Sequence, residues 1–327
     1  MDQDIRRVTE IAVEKKELLL KIESEFEKVI VGQKNLFKYL MMGLLTGSHI
    51  LVEGLPGLAK TLAVQTLAKI LDLDFKRIQF TPDMLPADIR GTLVYNQGSG
   101  KFDVKKGPVF SNFVLADEIN RAPAKVQAAL LEAMQEKTVT LGDHTYKLEE
   151  PFLVMATQNP IEQEGTYPLP EAQMDRFLLK AITSYPSRAE EKRILARMGG
   201  DLFPEARTVI NKKEVLSLQS VVKQIYADEK IFEYIVNLVY ATREPESVNI
   251  RSEYIRCGAS PRASLSFLKA AKAEAFLDGR AYVIPEDVKS IAHQVLRHRI
   301  ILSFEAEAEG FTSDIIIDKI LQAVEIP

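Results

Sequence analysis

The sequence predicts an α/β domain built on a mainly parallel sheet, followed by an all-helical domain. Three observations lead to that reading. Short apolar runs at 50–52, 75–80, 113–116, 152–156 and 177–182 have strand length, with helical stretches between several of them, notably 60–71 and 123–137. Strands that alternate with helices favour a parallel sheet covered on both faces, giving three layers. After Tyr185-Pro186-Ser187 the strand-like runs stop. Residues 188–198, 213–241, 262–278 and 285–302 keep helical spacing, with Pro285-Glu286-Asp287 as a helix start. The domain boundary is therefore expected near residue 186, dividing 1–186 from 187–327.

The other elements follow in chain order. Residues 8–29 place Val8, Ile11, Ala12, Leu18, Leu19, Ile22, Phe26 and Val29 on one helical stripe, and 35–46 read as a second, more apolar helix. Residues 92–106 read as a hairpin turning at Gln97-Gly98-Ser99-Gly100, and 139–148 as another turning at Gly142-Asp143. Both are turn-rich and polar and are expected to project from the sheet. Residues 242–260 form a long irregular stretch inside the helical part.

Composition narrows the function. The 327 residues are 46% hydrophobic and 27% charged, ordinary for a globular protein long enough for two domains. The formal net charge of −4 lacks the basic excess of a dedicated nucleic-acid binder. The single cysteine, Cys257, rules out an intrachain disulfide and fits a reducing compartment. A charged N-terminus without an apolar core, and no apolar run of membrane-spanning length, lead us to expect a cytoplasmic protein.

Chemistry concentrates at four places. Gly54-Leu55-Pro56-Gly57-Leu58-Ala59-Lys60-Thr61, with Leu62 next, follows a strand and opens the helix at 60–71, the setting of a phosphate-binding loop. Its backbone N–H groups would surround phosphates, Lys60 would reach the β- and γ-phosphates of ATP, and the Thr61 hydroxyl would ligate Mg²⁺. Ala59 stands where glycine is common, and helical backbone angles are expected for it at a helix start. The strand at 113–116 ends in Asp117-Glu118, which suits Asp117 to the metal and Glu118 to general-base work on a water. The strand at 152–156 leads to Gln158-Asn159-Pro160, where Asn159 either positions that water or reads the γ-phosphate, or belongs to a plain Asn-Pro turn. Arg176 precedes the fifth strand and Arg262 starts a helix. The guanidinium fork suits phosphate, and capping or surface ion pairs are the alternative. Arg121, close to the two acids, either contacts a neighbouring subunit or caps local structure. Arg297-His298-Arg299 reads as a solvated helix face, and the scattered histidines do not suggest a metal site.

Together, 54–61, Leu-Ala-Asp-Glu-Ile-Asn-Arg at 115–121, Ala-Thr-Gln-Asn-Pro-Ile-Glu-Gln at 156–163 and Leu-Pro-Glu-Ala-Gln-Met-Asp-Arg-Phe at 169–177 resemble the MoxR family of AAA+ ATPases. The resemblance runs from about Val31 to the end of the lid, and members also carry alanine before the loop lysine. It implies a P-loop core with two inserted hairpins and a helical lid. It implies Asn159 as sensor 1, Arg176 as an arginine finger, Arg262 as sensor 2, and Val31-Gly32-Gln33 as lining of the adenine pocket. It further implies ATP/ADP and Mg²⁺ as ligands, a homohexameric ring, and chaperone-like action on client proteins, some with von Willebrand A domains. A nucleotide-gated interaction module with negligible hydrolysis and a DNA-acting motor are the competing classes. Glu118 with Arg176 argues against the first; the acidic balance and the lack of basic hairpin tips argue against the second, while Lys101, Lys105 and Lys106 on the first hairpin keep it open.

Overall fold

A computed structural model describes residues 2–55, 57–160, 165–199 and 204–327. By contact the chain forms two compact units. One comprises Lys21–Pro170 and Ala181–Ser217, and the other Met1–Leu20, Glu171–Lys180 and Leu218–Pro327.

The chain begins in the long helix α1 (Asp2–Val29) and continues through α2 (Lys34–Leu45), β1 (Ile50–Gly54), α3 (Lys60–Ile70), β2 (Phe75–Gln79) and α4 (Pro86–Arg90). A hairpin of β3 (Gly91–Asn96) and β4 (Lys101–Lys106) follows, then β5 (Phe113–Asp117) and α5 (Ala124–Glu136). A second hairpin, β6 (Thr138–Leu141) and β7 (His144–Lys147), precedes β8 (Leu153–Gln158). After α6 (Glu171–Met174) come β9 (Leu179–Thr183) and α7 (Arg188–Met198). Both hairpins and all five core strands therefore occur where the sequence places them.

The core sheet has the order β2-β5-β8-β1-β9, with parallel pairing of β2 with β5, β5 with β8 and β8 with β1. Parallel strands covered on both faces read as unbroken apolar runs, and β5 and β8 are buried along nearly their whole length. Strand β2 differs: it lies at the sheet edge and exposes Lys76, Arg77 and Gln79. His49 is built into this core. Its Nδ1 accepts the Val154 N–H (3.0 Å) and its Nε2 lies 3.0 Å from the Met134 carbonyl, a structural role. Register brings Glu53 level with Gln158, and Gln79 level with Asp117. The carboxyl ends of β1, β5 and β8 thus share one edge, where open α/β sheets place ligands.

The helical unit holds α8 (Lys212–Gln224) from Leu218 on, α9 (Glu229–Ala241), β10 (Ile255–Cys257), α10 (Pro261–Leu277) and α11 (Pro285–Ser290). It ends with α12 (Ala292–Leu296), β11 (Ile301–Leu302), α13 (Phe304–Ala308) and α14 (Ser313–Ala323). Two expectations are corrected here. The helical run at 213–241 is two helices, because Asp228 caps a new one by accepting the Lys230 N–H (3.1 Å). The run at 285–302 ends at Leu296, and β11 pairs antiparallel with β10, so a small ribbon interrupts the helices of this unit. Cys257 is exposed on that ribbon.

The boundary at 186 also differs from the contact division. Residues up to Ser217 stay with the sheet unit: the Val209 N–H donates to the Ile70 carbonyl (2.8 Å), and Lys69 pairs with Glu205 (2.7 Å). Residues 171–180 group instead with the helical unit, because Arg297, His298 and Arg299 bind their main chain. His298 and Arg299 are buried, which corrects the reading of that triplet as a solvated face. Among the described residues, no helix is long and apolar enough to cross a membrane.

Candidate functional site

The loop between β1 and α3 is shaped by its glycines. A side chain at Gly54 would sit 1.9 Å from Thr183 Oγ1, so only glycine lets β1 end against that residue. Gly57 has φ +81° with open space where a Cβ would project, leaving room for a ligand against the backbone. Leu55 continues the loop from Gly54, and Pro56 lies outside the described residues. Ala59 adopts φ 54°, ψ 22° at the N-cap of α3. That is left-handed rather than the helical conformation expected for it, because the chain must reverse from the loop into the first helical turn. Lys60 folds back, donating to the Gly54 carbonyl (2.7 Å). Burial pushes its pKa down, with Asp117 and Glu118 opposing.

An open cleft of about 410 Å³ collects Gly54, Gly57, Leu58, Ala59, Lys60, Thr61, Leu62, Asp117, Glu118 and Asn159, so most of the expected site meets in one place. Asn159 is buried there, directly after β8. An apolar slot shares the loop residues and adds Val31, Gln33, Pro186 and Ile194. Gly32 lies between its neighbours at φ +70°, with Glu190 against it.

The acids at the end of β5 are held by partners that sequence reading missed. Thr157 Oγ1 donates to Asp117 Oδ1 (2.7 Å) and accepts the Glu118 N–H (2.8 Å). Arg77 donates from Nε (3.0 Å) and Nη2 (2.6 Å) to Asp117 Oδ2. Gln79 Nε2 donates to Glu118 Oε2 (2.8 Å), which also accepts from Arg121 Nη1 (3.2 Å). Arg121 thus belongs to the local network. Glu118 itself is left-handed (φ 57°), a conformation that costs energy and tends to occur at functional sites. Arg77 and Gln79 share one face of β2 by their i, i+2 spacing, but only the pairing of β2 with β5 brings them beside the acids.

Arg176 and Arg262 belong to the other compact unit. Arg176 is exposed at the end of the α6 turn. Arg262 opens α10, where its Nη1 lies 3.7 Å from Asp175 Oδ2.

A magnesium–nucleotide complex fits this donor set. Thr61 and Asp117 offer a hydroxyl and a carboxylate, the hard oxygens Mg²⁺ prefers, and it usually takes only one or two protein ligands beside the phosphates. No group of three or more His, Cys, Asp or Glu side chains suited to a metal is found among the described residues.

Comparison with known proteins agrees with this geometry. Residues 49–179 match the ATPase family associated with various cellular activities (AAA), and 248–320 match the AAA lid domain. Chaperone MoxR1 of Mycobacterium tuberculosis is 49% identical over 305 residues, covering 93% of this chain and 81% of that protein. Protein MoxR of Methylorubrum extorquens is 30% identical, covering 86% and 87%. A solved structure from Cytophaga hutchinsonii superposes with TM-score 0.93 at 51% identity, covering 98% of both chains. With that sheet, that loop and those relatives, the chain belongs to the MoxR family of AAA+ ATPases.

Proposed function

We propose that this chain hydrolyses ATP with Mg²⁺ at sites shared between subunits of a homohexameric ring, and that the ring remodels or activates client proteins in the cytoplasm. The observation that carries this reading is the convergence of Lys60, Thr61, Asp117, Glu118 and Asn159 on one cleft beside an open glycine loop.

The roles follow from chemistry and position. The loop N–H groups from Gly54 to Thr61 and the N-terminus of α3 cradle phosphates. Lys60 exchanges the Gly54 carbonyl for phosphate oxygens, whose negative charge offsets the desolvation that lowers its pKa. The slot lined by Val31, Gln33, Leu62, Pro186 and Ile194 takes the base. Thr61 and Asp117 hold Mg²⁺, which when bound neutralises charge on the β- and γ-phosphates. Glu118 accepts a proton from the attacking water while Thr157, Gln79 and Arg121 fix its backbone and carboxylate. Asn159 orients the water or γ-phosphate. Arg176, offered to a neighbouring subunit, stabilises transition-state charge, and Arg262 couples nucleotide state to the lid. Clients carrying von Willebrand A domains fit the family resemblance.

Nucleic acid is a poorer candidate for the client. The β3–β4 turn, Gln97-Gly98-Ser99-Gly100, is uncharged, and Lys106 packs over the Phe110 ring (5.1 Å).

Lys60→Ala and Glu118→Gln test the site together. By calorimetric titration Lys60→Ala should lose ATP affinity, and Glu118→Gln should keep it while turnover falls by about 10²–10⁴. Turnover of Glu118→Gln within a few-fold of wild type would remove Glu118 as the base.

A further inference from the structure

The helical unit contains an arginine that is almost wholly buried. The Arg299 side chain is 1% exposed, in a place where removing a guanidinium from water costs several kcal/mol. It makes six hydrogen bonds. Two go to Val295 O (2.5 Å) and Ser266 Oγ (3.0 Å). The other four all end on residues 175–178: Nε on Asp175 Oδ1 (2.7 Å), Nη2 on the carbonyls of Asp175 (3.1 Å) and Phe177 (2.6 Å), and Nη1 on the Leu178 carbonyl (3.2 Å). Burial pushes its pKa down and the Asp175 carboxylate opposes this. Arginine remains charged regardless.

The neighbours of Arg299 grip the same stretch. His298 is buried, with Nε2 3.3 Å from the Phe177 carbonyl, and burial holds its pKa well below the ordinary value, so it serves as a neutral donor. Asp175 Oδ2 is taken by Ser260 Oγ (2.7 Å). Arg262 contributes less: at 3.7 Å it is beyond good hydrogen-bond range, and its side chain is half exposed. Arg299 and Ser260, not Arg262, hold Asp175. Within this fastened stretch Arg176 is exposed, flanked by the gripped Asp175 and the buried Phe177. A connecting loop would not need a buried cation to fix it. Such an anchor suits a backbone from which one side chain must be presented accurately.

We propose that Asp175, bound by the buried Arg299, is a positioning residue that sets the Arg176 guanidinium for its task at a neighbouring subunit's nucleotide. This rests on the reading of Arg176 as the finger. Asp175→Asn keeps the shape, removes the charge, and cannot serve both Arg299 and Ser260 as an acceptor. A misplacement of about 1 Å at a catalytic group can cost roughly 100-fold, so kcat should fall by about 10- to 100-fold. ATP affinity should stay within about twofold, since the nucleotide's own loop is untouched.

A double-mutant cycle carries the test. If Asp175 acts only through Arg176, Asp175→Asn/Arg176→Ala hydrolyses ATP no more slowly than Arg176→Ala alone. Losses that multiply, an Asp175→Asn variant at wild-type rate, or ATP affinity falling in parallel with kcat would each overturn the proposal. Arg299→Lys, followed with the melting curves of all variants, is the second probe, expected to repeat the Asp175→Asn pattern. If neither variant folds, the pair serves the fold alone and the proposal fails. Wild-type turnover by Arg176→Ala would instead remove the finger itself, an outcome visible before Asp175 is altered.

Discussion

Ala59 stores strain that its sequence neighbours conceal. A left-handed alanine costs ~1–2 kcal/mol relative to glycine, whereas glycine loses ~0.4–1 kcal/mol more chain entropy on folding. The balance favours Ala59→Gly slightly. The variant should keep ATP affinity and show an unchanged or higher denaturant midpoint, and a clear loss of stability would mean that the methyl makes packing contacts that outweigh the strain. The same loop shows what was legible at this scale. Lys60, Thr61, Asp117, Glu118 and Asn159 could be read because each sits at a strand end or a strand-to-helix turn, where polar residues interrupt apolar runs. Arg77, Gln79 and Thr157 could not, since the acids they contact are 39 or 40 residues away in sequence and only strand pairing unites them. Arg299 was misread for a related reason. Three consecutive polar residues look solvated until the fold supplies carbonyls and a carboxylate to bury them against.

At the scale of elements, β5 and β8 declared themselves because burial on both faces demands continuous apolar runs, and the hairpins because Gly-containing turns separate their strands. The ends of helices were harder. Asp228 splits one expected helix, and β11 closes another, because a cap and a strand pairing distant in sequence override helical spacing. Helix α7 is a case where local chemistry sufficed. Ser187 and Glu190 form a reciprocal capping box, the Ser187 N–H donating to Glu190 Oε2 (2.8 Å) and Ser187 Oγ accepting the Glu190 N–H (3.3 Å). This start fixes the helix that brings Ile194 to the apolar slot. Ser187→Ala should cost about 1 kcal/mol, seen as a melting temperature lower by about 2–4 °C. An unchanged melting temperature would assign the helix start to packing instead.

At the scale of the molecule, the division into units places Arg176 with the helical unit of its own chain and the phosphate loop with the sheet unit. Sequence reading put the boundary at residue 186, where strands give way to helices; contacts follow who binds whom, and the Arg299 cluster draws residues 171–180 across that line. In the proposed ring, each nucleotide is bound by one subunit's loop and acids and completed by the next subunit's Arg176. The most direct test is mixing. Arg176→Ala subunits keep their acids and Glu118→Gln subunits keep their finger, so each preparation alone should be nearly inactive, the missing finger alone being worth ~10³–10⁵ in rate. Mixed, an Arg176→Ala site facing a Glu118→Gln neighbour contains both groups. Steady-state ATP hydrolysis should return on mixing and rise with total protein concentration. Demonstrated subunit exchange with no return of activity would contradict a site shared between subunits.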